Sequence, residues 1–304
     1  MKISVVISAF NEEKKIKNCL ESVRWADEII FIDLESTDKT AEIARQYTQH
    51  IFSHKNLCIV EPIRNFSISK AHGDWILLLD ADEEVPPSLA EKLQTLAKEE
   101  ISSSITHIKL PRKNIIFNKW IQHSGWWPDH LIRFFKKGTI HWQDTVHSVP
   151  EVKGGGITLS DEQYAIIHHN YENITQFFHR NFEKYAKLEA EAKLKNGYIF
   201  SVKDIIRFPL NEFLSRYFAR EGYKDGLHGL ILAALMAFYH LAIFLYLWES
   251  KNFIEEDENI TRDLKEELQK TKKEVKYWLS TKEIEQEKNL LRKTALKFKR
   301  KINL

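Results

Sequence analysis

The chain has 304 residues and a formal net charge of +2, and 43% of its residues are hydrophobic and 29% charged. These proportions are ordinary for a globular protein, and the length is sufficient for one large domain and an additional module. Two cysteines exclude a disulfide framework, so the composition predicts a reducing compartment. The first half of the chain lacks a basic face interleaved with aromatic residues, and we therefore set nucleic-acid binding aside.

The N-terminal stretch predicts a strand followed by a helix. Residues 3–7 are an apolar, β-rich run, and the polar residues Asn11, Glu12 and Glu13 come shortly after it. This pattern differs from that of a signal peptide, so we expect the N-terminal part of the chain to remain in the cytoplasm. A helix is predicted next, because apolar residues recur at spacings of three and four. Its repeating positions are Ile16, Cys19, Leu20 and Val23.

Strand and helix patterns then alternate along the chain. Residues 28–33 predict a second buried strand that ends in a carboxylate, and residues 36–38 offer N-cap chemistry for a helix. Residues 50–53 predict a short third strand, residues 57–60 are a candidate for a fourth, and residues 65–72 predict a helix. This alternation predicts an α/β domain with a parallel sheet.

The stretch around residue 80 carries the first chemical signal. Residues 75–79 are wholly apolar, as in a strand that is buried on both faces, and Asp80 and Asp82 follow directly. Ligands of such sheets lie beyond the carboxyl ends of the strands. Two crowded aspartates repel each other, and a divalent cation such as Mg²⁺ or Mn²⁺ relieves that repulsion. The alternative is a solvated turn closed by the prolines at 86 and 87.

Three predicted strands end in polar or small residues that should meet at one edge of the sheet. These residues are Ala9 and Asn11 after the first strand, Asp33 after the second, and Asp80 with Asp82 after the central one. Beyond this edge, residues 88–100 predict a helix and residues 105–110 a strand.

Three segments together resemble family 2 glycosyltransferases. They are residues 7–13 (ISAFNEE), residues 31–33 with 36–40 (FID and STDKT), and residues 74–83 (DWILLLDADE). The closest branch is that of the lipopolysaccharide-core β-glucosyltransferase-like enzymes, and the resemblance covers about residues 1–250. It continues through residues 64–66, 125–135, 146–147, 168–171 and 208–248. The resemblance implies a GT-A (Rossmann-like) nucleotide-sugar-binding domain with a mostly parallel sheet, followed by a helical region.

The resemblance also implies roles for individual residues. Ala9, Phe10, Asn11 and Glu12 would contact the nucleotide, Asp33 its base, Arg64 its phosphates, Asp80 the ribose, and Asp82 the metal. A guanidinium such as that of Arg64 suits a phosphate group. One departure is visible, because Leu34 and Glu35 stand where the family usually has small residues. Without the resemblance, residues 11–13 would be interpreted as a helix cap and Arg64 as a surface cation.

Residues 113–150 are dense in aromatic side chains, which suit either a sugar-binding platform or packing beneath a loop. We assign Trp126, Trp127, Arg133 and His147 to the acceptor side of the site. Asp129 is the predicted general base, and its alternative is a buried structural aspartate paired with Arg133. Ser148 replaces a glutamate found in relatives after the histidine that His147 matches, with Asp144 nearby. His168 could complete the metal site with Asp82, or could be structural.

The C-terminal quarter has membrane-like features. Residues 175–195 and 204–221 predict amphipathic helices, and residues 229–248 are an apolar run about long enough to cross a bilayer. The tail beyond them is rich in Lys and Arg, so a single span would violate the positive-inside tendency. We therefore expect an in-plane or re-entrant, peripheral or monotopic association with the cytoplasmic face of the inner membrane. The alternatives are a buried core helix and the interface of a homo-oligomer.

The predicted organisation is a glycosyltransferase domain over residues 1–170, a membrane-associating helical region over 171–250 and a charged helical tail over 251–304. The leading hypothesis is an inverting enzyme that uses Mg²⁺ or Mn²⁺ and a UDP-sugar. Its acceptor would be a glycolipid or lipid-linked saccharide of the cell envelope, as in lipopolysaccharide biosynthesis. The alternatives are a polyprenyl-phosphate sugar synthase and an inactive nucleotide-sugar-binding scaffold, which the departures at Leu34-Glu35 and Ser148 would favour.

Overall fold

A seven-stranded mixed sheet is the centre of the first of two units into which the chain divides. The computed structural model describes residues 1–57, 61–99, 104–143, 150–255 and 259–303. The N-terminal unit consists of Met1–Gln122 and Trp126–Glu172, and the C-terminal unit consists of His123–Gly125 and Asn173–Leu304.

The N-terminal unit contains all the strands found in the described residues and four α-helices. The strands are β1 (Ile3–Ala9), β2 (Glu28–Asp33), β3 (Ile51–Ser53), β4 (Trp75–Asp80), β5 (Glu83–Glu84), β6 (Ile105–Leu110), β7 (Arg112–Ile116), β8 (Lys119–Trp120), β9 (Leu131–Lys136), β10 (Ile140–His141), β11 (Glu151–Val152), β12 (Gly155–Thr158) and β13 (Ile166–Tyr171). The helices are α1 (Ile16–Ser22), α2 (Thr40–Ala44), α3 (Glu61–Ser69) and α4 (Pro87–Lys98).

The main sheet has the strand order β12-β6-β9-β4-β1-β2-β3. Strands β3, β2, β1 and β4 run parallel to one another, and β12 is parallel to β6. Only β9 is antiparallel to its neighbours, β4 and β6. The mostly parallel sheet that the sequence predicts is therefore confirmed.

Helices cover the central strands on both sides, which explains their nearly continuous apolar sequences. Alternate residues of β1 and β4, such as Val5 and Leu77, join one core cluster with residues of α1 and α4. The residues between them, such as Val6 and Leu78, join a second cluster that includes Ile63 of α3. Burial on both faces fixes the register of these strands, because a slip would exchange the two sets of side chains.

The register brings the predicted strand ends together. Ala9 pairs with Asp33, and Ser8 pairs with Asp80, so the carboxyl ends of β1, β2 and β4 lie side by side. The expected meeting of these residues at one edge is therefore confirmed.

A second, four-stranded sheet lies beyond this edge in the order β5-β13-β7-β8. Its register places His168 of β13 opposite Glu83 of β5 and opposite Asn114 of β7. This sheet is absent from the sequence-based expectations. It connects the residues that follow β4 with two segments that come much later in the chain.

Most predicted elements of the N-terminal unit are found, with shifted ends. The helix expected over residues 65–72 is α3, which begins four residues earlier and ends at Ser69. The helix expected over residues 88–100 is α4, which begins at Pro87 and ends at Lys98. Of the candidate strand at 57–60, Leu57 is not in a strand and residues 58–60 lie outside the described residues.

The C-terminal unit is helical in the described residues. Its α-helices are α5 (Ile174–Phe178), α6 (Ala186–Lys195), α7 (Asp204–Leu214), α8 (Leu227–Glu249), α9 (Ile260–Gln286) and α10 (Leu290–Asn303). The helix predicted over residues 175–195 contains a π-helical segment, His179–Tyr185, between α5 and α6. The apolar run predicted over residues 229–248 lies within α8, and the charged tail forms α9 and α10.

Candidate functional site

The loop after β1 is fastened to the loop after β2 by hydrogen bonds. Asn11 Oδ1 accepts from the Thr37 amide at 2.8 Å, and the Asn11 amide donates to Ser36 Oγ at 3.1 Å. The Glu12 amide donates to Thr40 Oγ1 at 2.8 Å. Asn11 has a φ of 54°, a left-handed conformation that asparagine tolerates better than most residues. The result is a fixed turn, from which the 43% exposed Phe10 side chain projects.

The departure at Leu34 and Glu35 is accommodated without disturbing this turn. The Leu34 side chain is buried in a core cluster, and its amide donates to the Ala9 carbonyl at 2.9 Å. Glu35 takes the left-handed conformation with a φ of 64°. Asp33 Oδ1 accepts from the Ser36 amide at 3.2 Å, so the carboxylate stays at the strand end.

Asp80 is surrounded by guanidinium groups. Arg133 Nη2 donates to Asp80 Oδ2 and, at 2.7 Å, to Glu83 Oε1. Arg64 Nη2 lies 3.9 Å from the other carboxylate oxygen of Asp80. Burial by itself would raise the pKa of Asp80, but the charges of Arg133, Arg64 and Arg112 hold it well below its usual range. Asp80 is therefore an anion at any physiological pH.

The structure corrects the assignment of Arg133 to the acceptor side of the site. Its side chain is 1% exposed, beside the fully buried Glu83, and its pKa is raised because Asp80 and Glu83 outweigh the effect of burial. A side chain buried to this extent cannot contact an acceptor sugar. It supplies the counter-charge of the acidic residues at the end of β4.

Asp129 is held through one carboxylate oxygen. Its Oδ2 accepts from Arg112 Nε at 3.0 Å, from Arg112 Nη2 at 2.6 Å and from Asn114 Nδ2 at 3.0 Å. Burial would raise the pKa of Asp129, but the Arg112 charge and these hydrogen bonds lower it below the ordinary value. The alternative pairing with Arg133 is wrong, because Arg133 is engaged by Asp80 and Glu83.

Arg112 also reaches Glu83, which makes the acidic residues one network. Arg112 Nη1 donates to Glu83 Oε1 at 3.1 Å, and Glu83 Oε2 accepts from the Asp80 amide at 3.0 Å. Glu83 thus lies between the Asp80 side and the Asp129 side of the site. Sequence reasoning missed Glu83, Arg112 and Asn114, although the polar residues Arg112 and Asn114 alternate within β7.

Asp82 and His168 approach each other with their side chains nearly buried, at 11% and 4% exposure. His168 Nε2 lies 3.5 Å from Asp82 Oδ2, and His168 Nδ1 lies 2.6 Å from Asn114 Oδ1. The Asn114 amide nitrogen donates to Asp129 and to the Trp126 carbonyl, so its oxygen must face the histidine. Nδ1 is therefore the donor, and in the neutral imidazole Nε2 directs a lone pair toward the carboxylate.

Two lone-pair donors facing each other suit a cation. Carboxylate oxygen and imidazole nitrogen are both acceptable ligands of Mn²⁺, and the second nitrogen of a ligating histidine is usually fixed as Asn114 fixes it here. Among the described residues there is no group of three or more His, Cys, Asp or Glu side chains that could hold a metal. Asp82 and His168 would therefore leave most coordination positions to oxygens from outside the protein.

The aromatic-rich stretch divides into two sets. Phe134, Phe135 and Trp142 are buried in the core, where Phe134 stacks on Trp75 with ring centroids 4.7 Å apart. Trp126 and Trp127 are half-buried, and the Trp127 ring meets Trp120 edge to face at 5.3 Å. Core packing therefore accounts for the first set, and a sugar-binding role for Trp126 and Trp127 stays a prediction. His147, with Asp144 and Ser148, lies outside the described residues.

Comparison with known proteins finds glycosyltransferases among the sequence relatives of this chain. Residues 4–151 match the model of glycosyl transferase family 2. The uncharacterized glycosyltransferase RT0209 of Rickettsia typhi is 27% identical over 289 residues, covering 90% of this chain and 97% of that protein. The lipopolysaccharide core biosynthesis glycosyltransferase LpsC of Rhizobium meliloti is 25% identical over 252 residues, covering 78% and 88%.

Among solved structures, S. aureus TarS 1–349 in complex with UDP is 16% identical with a TM-score of 0.43, covering 84% of this chain and 93% of that one. The family match includes β1, β2 and β4, whose ends carry Asn11, Asp33 and Asp80. The chain therefore carries a glycosyltransferase family 2 domain over residues 4–151.

Proposed function

We propose that the chain is an inverting, metal-dependent glycosyltransferase that transfers a sugar from a UDP-sugar to a glycolipid or lipid-linked saccharide of the cell envelope. The observation that carries the proposal is the pair of lone-pair donors, Asp82 Oδ2 and His168 Nε2, beside the strand end that presents Asp80. The name of LpsC, a lipopolysaccharide core biosynthesis glycosyltransferase, supports a cell-envelope acceptor.

The donor would bind across the ends of β1, β2 and β4. Phe10 is exposed above the fixed turn at Asn11 and is available to stack on a base. Asp33 offers a carboxylate acceptor at the neighbouring strand end, and Arg64 offers a guanidinium to the phosphates. Asp80, charged and half-exposed, would accept hydrogen bonds from the ribose.

Asp82 and His168 would hold Mg²⁺ or Mn²⁺, which when bound offsets the charge of the departing diphosphate. The protein's part in this is to keep His168 oriented. Asn114 does so by accepting a hydrogen bond from Nδ1, so that Nε2 faces Asp82. The buried position of both side chains keeps bulk water from competing for them.

Asp129 would act as the general base. Among the residues that the structure describes, the three hydrogen bonds that the Asp129 carboxylate accepts all end on Oδ2, and none ends on Oδ1. Oδ1 would take the proton of the acceptor hydroxyl while that oxygen attacks the anomeric carbon and the bond to the diphosphate breaks. Attack opposite the leaving group inverts the anomeric centre. The half-buried Trp126 and Trp127 would offer aromatic faces to the acceptor.

The C-terminal unit supports a location at the membrane surface. Helix α8 is the one helix among the described residues that is long and apolar enough to span a bilayer, and half of its most apolar part is buried. Its exposed large apolar residues form a stripe along one side, made of Leu227, Leu230, Ile231, Phe238, Leu245 and Trp248. The spacing places them within about a third of the helix circumference.

The buried side of α8 favours an in-plane position over a span. Tyr239 donates to Glu189 of α6 at 2.7 Å, and His240 Nε2 lies 3.6 Å from Glu212 of α7. A spanning α8 would draw these charged neighbours into hydrocarbon, which is costly. An in-plane α8 would place only its apolar stripe against lipid and leave the cytoplasmic site accessible to a soluble donor.

Transfer and hydrolysis assays with purified full-length protein test this proposal. We expect turnover of UDP-sugars that requires Mn²⁺ or Mg²⁺ and falls on the order of a thousandfold in Asp82→Asn, since a lost ligand removes charge stabilisation of the leaving group. Asp161→Asn, a change at an exposed aspartate of the same unit, is the matched control. A thermal shift with UDP species but not with GDP species would support uracil as the nucleobase of the donor.

The same assays separate the alternatives. Binding of a sugar nucleotide without turnover, across glycolipid and polyprenyl-phosphate acceptors, would favour the inactive scaffold and refute the enzyme. Transfer to polyprenyl phosphate alone would favour the synthase. The sequence departure at Leu34 and Glu35 no longer favours a scaffold, because both residues fit the turn without displacing Asp33.

A further inference from the structure

Helix α10 is a basic amphipathic helix that closes the chain. Over Leu290–Asn303 it has no acidic residue and six cationic ones: Arg292, Lys293, Lys297, Lys299, Arg300 and Lys301. With six positive charges over fourteen residues, α10 repels a cationic partner and attracts an anionic surface. The glycosyltransferase site uses none of these residues.

One side of α10 is occupied by α9. Arg300 Nη1 donates to Thr281 Oγ1 at 2.8 Å, and the guanidinium lies 5.1 Å from the centroid of the Tyr277 ring. Leu296 lines the same groove as Val275 and Leu279 of α9. These contacts fix which side of α10 faces its own unit.

The other side exposes large apolar residues. Leu290, Leu291 and Phe298 are 78%, 82% and 67% exposed. Leu291 and Phe298 are seven positions apart, so they lie on one line of the helix, about 140° from Leu296 by the ordinary advance of 100° per residue. Lys297 and Lys301 flank this line on one side and Lys299 on the other, about 70° to 110° from it, and Lys299 also borders the groove against α9. An apolar stripe with lysines at its edges is the pattern of a helix that lies in a lipid interface.

We infer that α10 docks on the surface of an anionic bilayer, with Leu291 and Phe298 entering the headgroup region and the lysines near lipid phosphates. The charge complementarity selects anionic lipid, and the exposed Leu and Phe side chains distinguish a bilayer from a nucleic acid, whose phosphate backbone offers them no apolar contact. This inference rests on the membrane location proposed above and names the element and the lipid chemistry. An attachment by α10 would select the cytoplasmic leaflet, because a basic segment favours that side.

Vesicle co-sedimentation of the full-length protein, without donor or metal, tests the inference. We expect binding to vesicles of phosphatidylglycerol and phosphatidylethanolamine that weakens at high ionic strength, and little binding to phosphatidylcholine. The triple change Lys297→Gln, Lys299→Gln and Lys301→Gln should lower the partition coefficient on the order of a hundredfold. The double change Leu291→Gln and Phe298→Gln should lower it by at least about tenfold. The matched control Lys17→Gln, Lys98→Gln and Lys137→Gln removes the same charge from exposed lysines of the N-terminal unit and should bind like the unchanged protein.

Several results would overturn the inference. They are equal binding to both vesicle types, binding that both α10 variants retain, and self-association that depends on Leu291 and Phe298 without any vesicle binding. Hydrolysis of UDP-sugar in detergent, measured on the same samples, distinguishes this inference from the proposed function. Protein that hydrolyses donor but ignores anionic vesicles refutes the role of α10 alone. Protein that binds anionic vesicles through α10 but never turns over donor leaves the inference standing and removes the proposed enzyme.

Discussion

Arg112 donates two hydrogen bonds to the same carboxylate oxygen of Asp129. Nε and Nη2 lie 3.0 and 2.6 Å from Asp129 Oδ2, and the remaining Nη1 donates to Glu83 at 3.1 Å. Because the Arg112 guanidinium is held by Glu83 as well as by Asp129, it fixes the orientation of the Asp129 carboxylate, and it makes no hydrogen bond to Asp129 Oδ1. The proposed base is therefore positioned by a cation that also ties it to the end of β4.

This pairing predicts a shift in the pH dependence of the rate. The Arg112 charge lowers the pKa of Asp129, so replacement by Met should raise that pKa and move the acidic limb of kcat/KM to higher pH. At neutral pH we expect kcat to fall by about ten- to a hundredfold, because the carboxylate also loses its orientation. The measurement is the pH–rate profile of Arg112→Met beside that of Arg112→Lys, which retains charge without the fork. An acidic limb that stays in place in Arg112→Met would show that Asp129 is not the titrating base.

Arg133 should be important for folding. It is the buried counter-ion of Asp80 and of the fully buried Glu83. Arg133→Met should lower the free energy of unfolding by about 3 to 5 kcal/mol, the usual cost of leaving a buried charge without its partner. Denaturant unfolding of the variant measures this, with Arg24→Met, at an exposed arginine that contacts Glu21 and the Tyr47 ring, as the control.

The pH dependence of that loss has a definite sign. The pKa of Asp80 is depressed in the folded protein, so its ion pair contributes stability above the unfolded pKa of about 4, and this contribution is lost as pH falls through the folded value. In Arg133→Met the pKa of Asp80 should rise. The difference in stability between the two proteins should therefore narrow below about pH 4. A difference that is constant from neutral to acidic pH would contradict the assigned ion pair.

The parts of the site that follow from local pattern were predictable. The apolar runs of β1, β2 and β4, combined with the rule that ligands lie at the carboxyl ends of parallel strands, place Asn11, Asp33 and Asp80 at one edge. The proximity of His168 to Asp82 followed only from the family resemblance. Its geometric cause is the pairing of β5, two residues long, with the distant β13.

The prediction for Arg133 failed for a physical reason. A charged residue within an aromatic run is ordinarily exposed, and a single sequence does not reveal the carboxylates that neutralise it. Its burial follows from the antiparallel insertion of β9 beside β4, which brings it to Asp80 and Glu83. Glu83, Arg112 and Asn114 escaped notice for the same reason, because their roles depend on contacts among β5, β7 and β13.

Asn114 should control metal affinity without contacting the metal. Its Oδ1 accepts a hydrogen bond from His168 Nδ1, with the two atoms 2.6 Å apart, and this directs the Nε2 lone pair toward Asp82. Loss of such a partner weakens metal binding by about ten- to a hundredfold, so we expect that reduction in Mn²⁺ affinity for Asn114→Ala. Calorimetric titration with Mn²⁺ and UDP measures it, and Asn18→Ala, at an exposed asparagine of α1, is the control.

A double-mutant comparison separates this effect from simple loss of packing, since Asn114 is fully buried. In a His168→Gln background the further change Asn114→Ala should have little added effect on Mn²⁺ affinity, because the group that Asn114 orients is already gone. Additive losses in the double variant would show that Asn114 acts on the site by another route.

Phe10 offers a test of donor binding that leaves the acidic network intact. Its ring is 43% exposed on the turn after β1, and stacking of a base on an aromatic side chain contributes about 1 to 3 kcal/mol. Phe10→Ala should therefore raise the KM for the UDP-sugar by about tenfold or more, with a small effect on kcat, because stacking is the same in the ground and transition states. Phe178→Ala, at a comparably exposed phenylalanine of the C-terminal unit, should change neither value. The opposite result, an unchanged KM with a reduced kcat, would show that the nucleobase does not stack on Phe10. It would assign the Phe10 ring to the reacting sugar, since only interactions gained in the transition state act on kcat alone.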